Sequence, residues 1–190
     1  MPTDVIVLNG GSSAGKTSIA CALLAHLPGL WLTLGVDILV DALGGPGDEG
    51  SAISFSPTGE VSVGAAFREA ETAWLAGVAE MARSGVGIVL DEVFLGGSDS
   101  QARLAAALAG LHVLWVGVRC PADVAATREA TRADRVPGMA ASQAEIVHRG
   151  VHYDLEVDTS RENPARCAAA IATLLVVAAE EWARSTGWRP

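Results

Sequence analysis

Val5-Ile6-Val7-Leu8-Asn9-Gly10-Gly11-Ser12-Ser13-Ala14-Gly15-Lys16-Thr17-Ser18 is the stretch on which the reading of this 190-residue chain turns. Four apolar residues followed by Asn-Gly-Gly predict a buried parallel strand ending in a turn. Helical periodicity then starts at about Gly15 and runs to His26, with Pro28-Gly29 closing it. Between strand and helix, Gly10 to Thr17 fits G-x-x-x-x-G-K-[ST] in full. Glycines let such a loop curl so that successive N–H groups face inward, and the helix N-terminus behind it favours anions. Gly10, Gly11, Ser12, Ser13, Ala14, Gly15, Lys16, Thr17 and Ser18 are therefore expected to cradle the phosphates of ATP. Lys16 would reach the β- and γ-phosphates, and the Thr17 hydroxyl would ligate Mg2+.

Downstream, apolar runs at Trp31 to Gly35, Val86 to Leu90, Leu111 to Val118 and Leu155 to Val157 predict four more strands. Helical patterns lie between them, at Val36 to Leu43, Ala65 to Ser84, Ser98 to Ala109, Pro121 to Ala130 and Ala140 to His148, and a last one runs from Pro164 to about Arg184. This alternation predicts a three-layer α/β domain, a parallel sheet with helices on both faces. No linker or repeat divides it, so residues 1–190 read as one domain. Ile53-Ser54-Phe55 and Val61-Ser62-Val63, separated by Pro57-Thr58-Gly59, predict a hairpin in an inserted segment at about 44–63.

Lys16 is the sole lysine; the other basic residues are all arginine. A position that keeps lysine in such a chain needs a compact ammonium that a guanidinium does not replace. The net charge of −9 argues against nucleic acid as a partner, since that affinity rests on neutralising phosphates. The apolar stretch at Ile171 to Ala179 falls far short of the roughly 20 residues that cross a bilayer. Met1-Pro2-Thr3-Asp4 lacks the basic region of a secretory signal, so a soluble cytoplasmic protein is expected. Cys21, Cys120 and Cys167 are too few and scattered for a disulfide framework and read as reduced thiols. Trp182 and Trp188 in the tail would offer a contact surface for a homo-oligomer.

Several side chains are candidates for the chemistry. Asp91, at the end of its strand, is placed to hold Mg2+, while Glu92 reads either as the water-activating base of an ATPase or as an electrostatic neighbour. Asp37 follows the second strand, at the sheet edge where open α/β folds bind ligands, and is a candidate base for an attacking hydroxyl; Asp41 is its rival. Arg128, Arg132 and Arg135 lie within eight residues and read as a lid segment, about 126–148, that neutralises a transferring phosphoryl group. Between Val36 and Ser100 the only cations are Arg68 and Arg83. Phe55, Val63, Phe67, Val93 and Phe94 are expected to line a site for a small, neutral, partly apolar alcohol. His148 and His152 have metal-ligand spacing, but Gly150 interrupts the helix and no third ligand accompanies them.

Leu8-Asn-Gly-Gly-Ser-Ser-Ala-Gly-Lys16, Gly35-Val-Asp37, Asp91-Glu-Val-Phe-Leu-Gly-Gly97, Val113-Leu-Trp-Val-Gly-Val-Arg119, Asp134-Arg-Val-Pro-Gly-Met-Ala140 and Tyr153-Asp-Leu-Glu-Val-Asp-Thr159 together resemble the chloramphenicol phosphotransferase-like family, over about residues 4–175. The resemblance implies a fold of the nucleotide and shikimate kinase type, with five parallel strands in the order 2-3-1-4-5. It implies ATP-dependent phosphorylation of the primary hydroxyl of chloramphenicol, as antibiotic resistance. It makes Asp37 the base, places Arg132 and Arg135 in the lid, and gives Arg128 a place against adenine. A kinase of another metabolite alcohol, of gluconate or shikimate type, is the alternative acceptor class.

Overall fold

Val5–Asn9, every residue of it buried, forms β1 at the centre of the sheet. Lys16–Leu23 follows as α1, shorter than the periodicity predicted, because the chain turns at Leu24 and the His26 N–H bonds back to the Leu23 carbonyl. Then come β2 (Trp31–Gly35), α2 (Val36–Ala42), the hairpin strands β3 (Ile53–Phe55) and β4 (Val61–Val63), and α3 (Ala65–Arg83). The second half contains β5 (Gly87–Glu92), α4 (Ser98–Ala107), β6 (Val113–Arg119), α5 (Ala122–Glu129), α6 (Met139–Ile146), β7 (Leu155–Asp158) and α7 (Pro164–Thr186). This computed structural model describes residues 3–45, 52–56, 59–131 and 138–186. Arg132, Arg135, Trp188 and the side chain of Trp182 lie outside the described residues.

Five parallel strands make the sheet, ordered β2-β5-β1-β6-β7. Counted along the sheet alone that is 2-3-1-4-5, the order expected of a nucleotide or shikimate kinase fold. The side-chain alternation of β1 divides the core between the two faces. Ile6 and Leu8 pack with Ile19 and Leu23 of α1 and Ile171 of α7. Val5 and Val7 pack on the opposite face with Val78 of α3 and Leu104 of α4. A third, smaller core joins Leu39 of α2, Ile53 of the hairpin and Phe67 of α3, so the insertion is anchored by its own apolar cluster. Among the described residues no helix is long and apolar enough to cross a membrane.

The sheet ladder sets where the chemistry can occur. Leu8 and Gly35 both register with Asp91, so the last residues of β1, β2 and β5 end together at the carboxyl edge. Gly35 is there because of close approach: a Cβ on it would stand 2.8 Å from the Asp91 carbonyl oxygen. Both carboxylates that sequence reading placed just after β5 are its final two residues.

Glu129, only 5% exposed, carries a local tie of a different kind. Its Oε2 accepts from the Gly138 N–H at 2.8 Å and its Oε1 from the Ala140 N–H at 2.7 Å, so one carboxylate caps the start of α6. Its burial and two backbone bonds give it this capping role rather than that of a surface ion-pair partner for the neighbouring arginines. Glu129→Ala should cost about 1.5–3 kcal/mol in urea unfolding, and Glu129→Gln, which keeps one accepting oxygen, about half as much. Equal stability of all three proteins would show that the cap contributes nothing.

Candidate active site

The turn from β1 into α1 curls through two left-handed residues, Ser13 (φ 58°) and Gly15 (φ 90°), which point consecutive N–H groups to one side. Lys16, 7% exposed, folds back over this loop. Its ammonium donates to the Gly11 carbonyl at 3.0 Å and lies 3.5 Å from Asp91 Oδ1. The Thr17 hydroxyl donates to Asp91 Oδ2 at 2.7 Å. Thus the two side chains that sequence reading assigned to phosphate and cation share one carboxylate, delivered by the neighbouring strand. The Ser12 and Ser13 hydroxyls are buried without a hydrogen-bond partner among the described residues. Orphaned buried hydroxyls cost free energy, and they are suited to a ligand rich in acceptor oxygens.

This cradle opens into a cleft of about 490 Å³. Asp37, in the first turn of α2, lines it, whereas Asp41 is exposed outside it. The hairpin walls it with Phe55, Val61 and Val63, and Val93 contributes from the turn after β5. Phe67 and Phe94 reach the cleft but are 3% and 2% exposed, so most of each ring is core; Phe94 packs on Trp115 with ring centres 6.3 Å apart. The cleft also contains cations and acids that sequence reading did not assign to it. Arg68 is held by Glu71 at 2.8 Å, and Arg103 of α4, just beyond the acceptor segment that ends at Ser100, donates to the Ser100 hydroxyl at 3.0 Å. Arg83 is elsewhere, beside Glu80.

Glu92 sits in the same cleft as Asp91, Glu71 and Asp37. Burial first, then the charges of Asp91 and Glu71, push its carboxyl up to about 8, with Lys16 acting in the opposite sense. Such a carboxyl is mostly protonated at neutral pH and is a poor acceptor for a proton from water.

Behind the cradle a second groove is lined by Ser13, Gly15, Ser18, Arg128 and Thr159. Arg128 donates to the Thr159 hydroxyl at 3.0 Å and to its carbonyl at 2.7 Å, and the Thr159 hydroxyl donates to the Ala14 carbonyl at 2.8 Å. The residue assigned to adenine is therefore at the cradle, braced by the loop after β7. Thr159 stands in the sequence only as the end of the Tyr153–Thr159 stretch, and nothing there marks its bonds to Arg128 and Ala14.

Asn9 closes the other side. Its Oδ1 accepts the Phe94 N–H at 2.9 Å, and its Nδ2 donates to the Val147 carbonyl at 2.8 Å and to the Tyr153 hydroxyl at 2.6 Å. Having accepted from Asn9, the Tyr153 hydroxyl is left to donate to His148 Nδ1 at 2.6 Å, which makes His148 a neutral acceptor there. α6 stops at Ile146, so His148 and His152 do not share a helix, and among the described residues there is no cluster of three metal-ligating side chains.

A cradle with one ammonium, a carboxylate at the neighbouring strand end and an adjoining cleft define a P-loop small-molecule kinase. The family model of the chloramphenicol phosphotransferase-like proteins matches residues 3–176, and the chain belongs to that family. A Mycobacterium tuberculosis H37Rv protein provisionally named an O-phosphotransferase is 30% identical over 174 residues, covering 82% of this chain and 75% of the relative. In fold the chain is similar to a sugar kinase from Janibacter sp. HTCC2649 (TM-score 0.62, 19% identity, 93% and 96% of the two chains covered). It is similar also to a gluconokinase from Sinorhizobium meliloti 1021 (TM-score 0.62, 17% identity, 97% of each chain).

His148 supplies a pH test of this architecture. Burial, with a smaller push from the Arg119 charge, lowers its pKa from 6.5 to about 4. Well above pH 6.5 the ring is neutral whether folded or unfolded. Between 6.5 and 4 the unfolded chain takes up a proton that the folded chain refuses, so stability should fall as pH falls through that window. His148→Gln still offers the Tyr153 hydroxyl an acceptor and does not titrate, so its urea midpoint should fall less over the same range. An identical pH dependence in both proteins would assign the loss to other groups.

Proposed function

We propose that this enzyme transfers the γ-phosphoryl group of ATP, with Mg2+, to a hydroxyl of a small and largely neutral alcohol in the cytoplasm, with the primary hydroxyl of chloramphenicol as the leading acceptor and antibiotic resistance as the outcome. The observation that carries this reading is that the cradle, Asp37 and the apolar hairpin all face one cleft. The residues present fit both groups. Ser12 and Ser13 offer unpartnered hydroxyls, Lys16 an ammonium, and Thr17 and Asp91 two oxygen ligands for a hard cation whose other ligands would be phosphate and water. When bound, the metal would neutralise charge on the β- and γ-oxygens.

Each residue then has a definite task. Lys16 stabilises charge on the β- and γ-oxygens, and Arg128 holds the nucleotide side. Arg132 and Arg135 neutralise the oxygens of the group in flight. Asp37 orients the acceptor hydroxyl and takes its proton as the new P–O bond forms and the bond to the ADP oxygen breaks. Phe55, Val63 and Val93 exclude water and hold the apolar part of the acceptor, with the mostly buried Phe67 and Phe94 backing that wall. The raised Glu92 pKa disfavours the water-activating reading of that residue. Arg68 and Arg103 favour a second acceptor class, alcohols that also carry a carboxylate, although Glu71 already engages Arg68.

ADP release measured across hydroxylated antibiotics and sugar acids distinguishes the two acceptor classes. Turnover dependent on chloramphenicol, with phosphate recovered on its primary hydroxyl, is expected; turnover only with acids selects the second class, and ATP hydrolysis indifferent to every alcohol overturns the kinase reading. Asp37→Asn should lower kcat by about 10²–10⁴-fold with ATP affinity preserved, and Asp41→Asn far less. Equal losses in the two variants would remove Asp37 from the base role.

A further inference from the structure

Gln143 lies on α6, far from every motif in the sequence, yet it is built into the cradle. It is 4% exposed. Its Oε1 accepts the Ser12 N–H at 2.8 Å, and its Cβ packs so close to Gly11 that a side chain there would stand 3.2 Å away. The other polar group of the same peptide unit, the Gly11 carbonyl, is held by Lys16 at 3.0 Å. The Gly11–Ser12 peptide is therefore gripped from both ends, by the only lysine and by Gln143.

That grip also fixes which way the carboxamide faces. Only its oxygen can accept from an N–H, so the amine is turned away from Ser12. Gln143 lines the same cleft as Asp37, Lys16 and Asp91. Its Nε2 makes no hydrogen bond to a described residue and, unlike the Ser12 and Ser13 hydroxyls, keeps some solvent access, so a donor with two N–H groups is available at the cleft that Gln143 lines. Such a donor can give its hydrogens to water in the cleft and to the oxygens of a ligand that displaces it.

We propose that Gln143 is a further catalytic residue, whose amine donates to an oxygen of the phosphoryl group being transferred. The proposal rests on the kinase reading above. It adds a neutral, preorganised donor to the cationic set, at the position where negative charge is passed from one oxygen to another. A neutral donor does this without adding another cation to hold the ADP that must leave.

Gln143→Glu separates this role from bracing alone. A carboxylate still accepts the Ser12 N–H, so a brace would be kept, but the donor becomes an anion facing phosphate. The expected result is a kcat loss on the order of 10²-fold with unchanged thermal midpoint. ATP affinity, read by calorimetry without acceptor, should fall by about tenfold or more while ADP affinity changes little, because only ATP places a γ-phosphate against the new charge. If Gln143→Glu lowers the thermal midpoint, Gln143→Met provides the same ATP-to-ADP comparison without a buried charge, with selective loss of ATP affinity expected. Near-normal kcat, or equal losses of ATP and ADP affinity, would overturn the proposal and leave Gln143 as a brace. Lys16→Ala run in parallel should abolish transfer; activity surviving there would instead overturn the kinase reading itself.

Discussion

Lys16 brings a full positive charge into a site that is 7% exposed, and the rest of the structure is arranged around making that tolerable. An ammonium taken out of water needs an opposite charge and hydrogen-bond acceptors close by. Asp91 and the Gly11 carbonyl supply them. Asp91 can do so because β5 lies between β1 and β2, with its carboxylate at the height of the loop. The same carboxylate holds the Thr17 hydroxyl, so the first turn of α1 is tied to the neighbouring strand before any nucleotide arrives.

The second half of the chain stabilises the first half's loop. Thr159 bonds the Ala14 carbonyl, Gln143 the Ser12 N–H, and Tyr153 and the Val147 carbonyl hold Asn9. All of these contacts are made by backbone or side-chain dipoles rather than by charges. That leaves the electrostatic field in the cleft to Lys16, the arginines and the four acids, and the charges of Asp91 and Glu71 add to burial in raising the Glu92 pKa. The hairpin contributes in a different way. Its Ile53 buries against Leu39 and Phe67, so the apolar wall of the cleft is continuous with a small core. Phe55 and Val63 can therefore face the cleft while the insertion stays anchored.

Sequence reading located the cradle, Asp91 and Asp37 because each belongs to a local pattern: a motif with an obligatory strand and helix, or a carboxylate at a strand end. The five strands were legible for the same reason, since a doubly covered sheet demands uninterrupted apolar runs. Gln143, Thr159 and Glu129 were not legible. Gln143 meets Ser12 across 131 residues of chain, and neither residue carries a sign of the other. Arg103 was not legible as a cleft cation because it lies one helical turn past the acceptor segment in sequence, and only the course of α4 carries it back to the cleft.

By itself, then, the sequence determined the class of fold, the phosphate cradle and the family, because glycine spacing and apolar periodicity act over a few residues and survive translation into structure. The tertiary structure alone decided which peptide groups of the cradle are held and by what, which carboxyl keeps its proton, and which side chains share the cleft. Those outcomes depend on distances between segments that strand order brings together. Burial and hydrogen bonding act through space, and a linear pattern contains no record of them.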